Sequence, residues 1–78
     1  MEERINDNGE RMKTSARNQF KGTVKAVKLG AVAAEVVVTV GNLEFVSMIT
    51  RGSADSLSLK SGDAVTVVIK STEVLIDK

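Results

Sequence analysis

The stretch from Ala31 to Thr50, AVAAEVVVTVGNLEFVSMIT, decides the fold. Ala34, Val36, Val38 and Val40 fall on one face of an extended chain, and Glu35, Val37 and Thr39 on the other. That is the period of two that marks a strand. Gly41-Asn42 follows as a two-residue hairpin turn, because both residues tolerate positive φ. Leu43 to Thr50 then returns as the partner strand. Leu43, Phe45 and Ile49 share one of its faces, Val46 and Met48 the other.

The pattern extends in both directions. On the N-terminal side Phe20, Gly22, Val24 and Ala26 alternate with Lys21, Thr23, Lys25 and Val27, in a strand that Gly30 closes. On the C-terminal side Arg51 to Leu59 breaks the alternation. Ser53-Ala54-Asp55-Ser56-Leu57 suits one or two helical turns, with Thr50 or Ser53 as the cap. Lys60-Ser61-Gly62-Asp63 reads as a turn, and Ala64 to Lys70 as a fourth strand with Val65, Val67 and Ile69 inward. Ser71-Thr72 interrupts it, and Glu73 to Asp77 is a short fifth strand carrying Val74 and Ile76. The sequence therefore predicts an all-β chain: a small five-stranded OB-like barrel with one short helix.

Some strands are apolar on both faces. Val37 lies opposite Val36 and Val38, Met48 opposite Ile49, and Val68 opposite Val67 and Ile69. One face fills a barrel, and the other most simply meets another copy of the chain. A chain of 78 residues without cysteine has few other means of support. Residues 1–13 differ. Met1 to Arg11 holds four acids against two arginines and one large apolar side chain, Ile5, besides Met1. It is expected to be a disordered extension, with the domain running over 14–78. Met12 offers a second start.

Composition excludes much. With no His and no Cys there is no zinc finger, thiolate nucleophile, Ser-His-Asp triad or disulfide. Phe20 and Phe45 are the only aromatics, too few for the usual base-stacking platform. Net charge is +1, so no polyanion field covers the chain. No apolar run suits a membrane helix or a secretion signal, and the expected location is the cytoplasm.

The chemistry-bearing residues are few. Glu35, Glu44, Asp55, Asp63, Glu73 and Asp77 form no recognisable catalytic pair, and the hydroxyls have no base at a motif spacing. No enzyme is expected. Neither GxGxxG nor GxxxxGK[ST] occurs, so no nucleotide cradle is signalled. Lys21, Lys25 and Lys28 could meet phosphate from one side of the first strand. This leaves an OB-type single-stranded nucleic-acid binder as the alternative, although a solvated face is the better explanation of them. Three clusters stand out: Thr14-Ser15-Ala16-Arg17-Asn18-Gln19, Ile49-Thr50-Arg51-Gly52-Ser53 and Ile69-Lys70-Ser71-Thr72. The first and last place a fixed cation beside a small hydroxyl and a main-chain N–H at a strand end, and the middle one offers two hydroxyls at a strand-to-helix junction with N–H groups pointing outward. Those are the parts of an oxyanion site.

The same residues resemble a known family. Ser15-Ala16-Arg17-Asn18-Gln19-Phe20-Lys21-Gly22-Thr23-Val24 is similar to the SARNQ-x-x-G-x-V opening of molbindins, the Mop or TOBE-domain molybdate-binding family. Gly30-Ala31-Val32-Ala33-Ala34-Glu35-Val36 resembles its G-x-V-x-A-E-V. Leu59-Lys60-Ser61-Gly62-Asp63 resembles its L-x-x-G, and Val68-Ile69-Lys70-Ser71-Thr72-Glu73-Val74 its V-x-K-[SA]-[ST]-[DE]-V.

The resemblance implies an OB-like barrel that is strand-exchanged between subunits and assembles as a homohexamer, a trimer of dimers. It implies molybdate or tungstate as ligand, bound at subunit interfaces with no direct metal coordination by side chains. The contacts would be Ser15, Arg17, Lys70 and Ser71, with Thr50 and Ser53 from a neighbouring subunit. The implied role is intracellular molybdate storage and buffering, with no nucleic-acid or membrane partner.

Overall fold

The computed structural model describes residues 2–5, 11–14 and 16–78. In chain order the elements are β1 (Glu2–Ile5), β2 (Arg11–Thr14), β3 (Asn18–Leu29), β4 (Ala33–Val40), β5 (Leu43–Thr50), α1 (Arg51–Ser56), β6 (Ala64–Ile69) and a 3₁₀ turn, Ser71–Glu73. β3 to β6 form a four-stranded sheet in the order β5-β4-β3-β6, and β1 pairs with β2. The chain packs as two compact units: Phe20–Val67, and Met1–Gln19 with Val68–Lys78.

Within Phe20–Val67 the hairpin read from the sequence is present. β4 runs antiparallel to β5 from Ala33↔Thr50 to Val40↔Leu43. Gly41 turns the chain at φ +59. Ala34, Val36 and Val38 are buried and alternate with half-buried neighbours, as period two requires. Val24 of β3 joins Val36 and Val38 at the centre, with 1% of its surface exposed. Val27, Val40, Ile49, Leu59, Val65 and Val67 pack around them. Phe20 and Phe45 stack with ring centroids 5.3 Å apart. Gly22 is required nearby, since a Cβ there would stand 2.5 Å from the carbonyl oxygen of Thr39. The turn before β6 puts Gly62 at φ +96, where a side chain is strained. Lys60 N–H donates to Asp63 Oδ2 at 3.0 Å and closes that turn.

The strict alternation expected along β3 does not hold. The β3–β4 register slips between Val24, opposite Val38, and Ala26, opposite Val37. Lys25 is the extra residue of a β-bulge, which exchanges the two faces beyond it. Val27 therefore packs on the core, and Ala26 is exposed. The bulge is braced by Ser61, whose hydroxyl donates to the Lys25 carbonyl at 3.0 Å. Val46 and Met48 stand on the outer face of β5 with 65% and 70% of their surface exposed, as the two-faced pattern foretold.

The other unit departs further from expectation. The sequence places a fifth strand at Glu73–Asp77. Here β6 ends at Ile69, the 3₁₀ turn follows, and residues 74–78 join no ladder. A strand exists only with a partner, and Leu75 and Ile76 stand 90% and 89% exposed without one. Of the extension expected to be disordered, Glu2–Ile5 and Arg11–Thr14 form an antiparallel ladder, Glu2↔Thr14 to Ile5↔Arg11, and residues 1 and 6–10 lie outside the described residues. No helix among the described residues is long and apolar enough to cross a membrane.

Candidate functional site

The six candidate residues fall into two sets. The first lies where β3 begins and β6 ends. Ala16 is buried and anchors the approach to β3, while Arg17 beside it is exposed. The Asn18 side-chain amide donates from Nδ2 to the carbonyl of Ile69 at 3.1 Å. The Gln19 amide donates to the carbonyl of Ala16 at 3.3 Å. On the other side of the Asn18–Ile69 bond, Lys70 leaves the sheet in extended conformation, at φ −67 and ψ 139. Glu73 N–H donates to the Lys70 carbonyl at 2.9 Å and holds the turn that carries Ser71. Arg17, Lys70 and Ser71 thus sit at the two ends of one side-chain hydrogen bond. Ser15 lies outside the described residues.

The second set is Thr50 with Ser53, at the start of α1. Thr50 caps the helix: its Oγ1 accepts from Ser53 N–H at 3.0 Å. The same hydroxyl donates to Ser53 Oγ at 2.8 Å. Two hydroxyls in contact share one of their two protons, so the pair has one O–H left to give. Arg51 fixes the position of this cap. Its backbone N–H donates to Val32 O at 2.8 Å and one guanidinium nitrogen to Gly30 O at 3.1 Å. Its Nε reaches both carboxylate oxygens of Asp55, at 3.1 and 3.2 Å.

Sequence reasoning offered Thr50 or Ser53 as the cap, of which Thr50 is the one, and missed the work of Arg51. The signal was available: Arg51 and Asp55 stand four apart, the spacing at which helical charges meet. Nothing local reveals the bond from Asn18 to Ile69, 51 residues apart.

Both sets are built of fixed cations, hydroxyls and amides, which is chemistry suited to an anion. No group of three or more His, Cys, Asp or Glu able to hold a metal ion occurs among the described residues. A cavity of about 380 Å³ lies by Leu57, Leu59, Asp63, Ala64, Val65 and Thr66 and takes in none of the candidates. Its largely apolar wall and single carboxylate suit an oxyanion poorly. The lysine face is weakened as well. Lys21, Lys25 and Lys28 are all exposed, Lys28 because the bulge exchanges the faces beyond Lys25, yet Lys25 Nζ is 2.7 Å from Glu44 Oε2. Part of a phosphate-binding stripe is thereby neutralised.

Comparison with known proteins covers the same residues. The TOBE domain family matches residues 14–76. Molybdenum-pterin-binding protein 3 of Clostridium pasteurianum is 50% identical over 66 residues, which span 83% of this chain and 97% of that protein. A molybdate binding protein from Sporomusa ovata has a similar structure, with a TM-score of 0.83 and 40% identity, over 86% of this chain and 100% of that one. The cytoplasmic molybdate-binding protein ModG, in a form with molybdate bound, gives a TM-score of 0.74 at 38% identity, over 86% of this chain and 47% of its own. A family match over the whole four-stranded sheet, and a relative identical at half of the aligned positions, show that this chain belongs to the TOBE-domain family of molybdenum-pterin-binding proteins, the molbindins.

Proposed function

We propose that this chain binds molybdate, and tungstate with it, as a tetrahedral dianion at seams between its own copies. The observation that carries this reading is the placement of Arg17, Lys70 and Ser71 about the Asn18–Ile69 bond. A dianion leaves water only where fixed charge and several donors replace its hydration. Arg17 and Lys70 supply the charge. Ser15 and Ser71 add hydroxyls, and Thr50 with Ser53 come from a neighbouring copy. The naming of similar proteins as molybdate-binding supports the ligand.

Residues 14–78 act as one OB-like domain in this reading, with 1–13 as an extension. Residues 73–77 become the fifth strand when another copy supplies the partner edge, in a strand-exchanged dimer. Three such dimers make a hexamer. The exposed Val46, Met48, Leu75 and Ile76 support such an assembly, because each gains by being covered. The protein serves as a cytoplasmic store and buffer of molybdate, without catalysis and without nucleic-acid or membrane partners.

Isothermal titration with molybdate, tungstate and sulfate tests the ligand. Molybdate and tungstate, nearly equal in size, should bind alike. Sulfate is smaller and leaves donors unpaired, at about 1–3 kcal/mol each. Equal weak binding of all three, or none, refutes the reading. Native mass spectrometry with molybdate reports the copy number at the same time.

A further inference from the structure

We propose that Asn18 is a positioning residue for the oxyanion site, fixing Arg17 and Lys70 as a ready-made pair of cations. The inference rests on the molybdate reading and adds a role for a residue that does not touch the ion.

Asn is a poor strand former, yet it opens the twelve-residue β3. Its side chain is half-buried and does not turn back on its own backbone, as Asn commonly does in turns. It crosses instead to the carbonyl of Ile69, at 3.1 Å. Ile69 is the last residue of β6, where the chain leaves the sheet for the 3₁₀ turn. The amide therefore serves as one extra rung where the β3–β6 ladder ends.

Arg17 is one peptide before Asn18, and Lys70 one peptide after Ile69. Each cation thus stands one residue from an atom of the rung. Two like charges repel, and loose chain ends would let them part. The rung removes that freedom before the ligand arrives, so a dianion meets a preformed site and need not gather one. Two further features keep the segment in shape: the buried Ala16 and the bond from Gln19 to the Ala16 carbonyl, at 3.3 Å. Arg17 and Lys70 hold the ion; Asn18 holds Arg17 and Lys70.

The test uses the full chain, sodium molybdate titration calorimetry and the melting temperature of the ligand-free protein. In Asn18→Thr, a better strand former takes the position with a hydroxyl too short to reach Ile69. Its melting temperature should equal or exceed that of the wild type, while Kd for molybdate rises about 10-fold. Asn18→Gln keeps an amide donor and should recover most of that loss. The inference is overturned if the wild type binds and Asn18→Thr binds within about 2-fold of it. It is overturned equally if the Thr and Gln variants lose affinity and melting temperature together, which marks a purely structural residue. A wild type that does not titrate with molybdate defeats the oxyanion reading itself, and this inference with it.

Discussion

The sheet of Phe20–Val67 completes itself, whereas the segments that flank it do not. In the sheet, Val24, Val36 and Val38 find their partners within one chain. Around Val68–Lys78 the Asn18 side chain bonds the Ile69 carbonyl, while Leu75 and Ile76 remain open to solvent. The region that satisfies itself carries the fold. The region left incomplete carries the two cations of the proposed site. A small protein can build a dry pocket from several copies only if each copy leaves something unfinished.

Four predictions probe this contrast. The largest effect belongs to the incomplete region: Arg17→Ala combined with Lys70→Ala should weaken molybdate binding by roughly 4 kcal/mol, about a thousandfold, as read by titration calorimetry. Its thermal unfolding without ligand should barely change. Next, Gly22→Ala strikes the self-contained sheet, where the new methyl meets the Thr39 carbonyl at 2.5 Å. It should cost about 3 kcal/mol in denaturant unfolding. A Gly22→Ala protein as stable as wild type would show that the sheet is looser than described.

Third, Leu75→Asp or Ile76→Asp should leave the sheet folded and lower the mass seen by light scattering. An apolar side chain buried between copies is worth about 1.5–3 kcal/mol. If either variant destabilises a monomer instead, the tail is part of the self-contained core. The smallest effect is Lys25→Ala. The pair with Glu44 is about half exposed on both sides, so its loss should change stability by less than about 1 kcal/mol.

What could be read from the sequence divides along the same line. The β4–β5 hairpin was legible because alternation and Gly41-Asn42 are local signals that agree. Thr50 as a cap was legible for the same reason, since its bond spans only to Ser53. The bulge at Lys25 was not, because parity along β3 is set by the register with β4. The fifth strand was anticipated from Val74 and Ile76, but alternation records a wish to pair and says nothing of where the partner is. Of the site, Arg17, Lys70 and Ser71 were named from clusters and from resemblance. The bond that sets their neighbourhood joins residues 51 apart and leaves no local trace.

The bulge also bears on how this chain tolerates changes in length. Val24 and Val27 both face the core although three positions separate them, and Lys25 is the unmatched residue between. Excising Lys25 would leave a regular ladder with every remaining side chain of β3 on its present side. Excising Val27 instead would leave Ala26 or Lys28 to occupy the place of a core valine. Within this strand, one codon is dispensable to the architecture, and another two positions away is not.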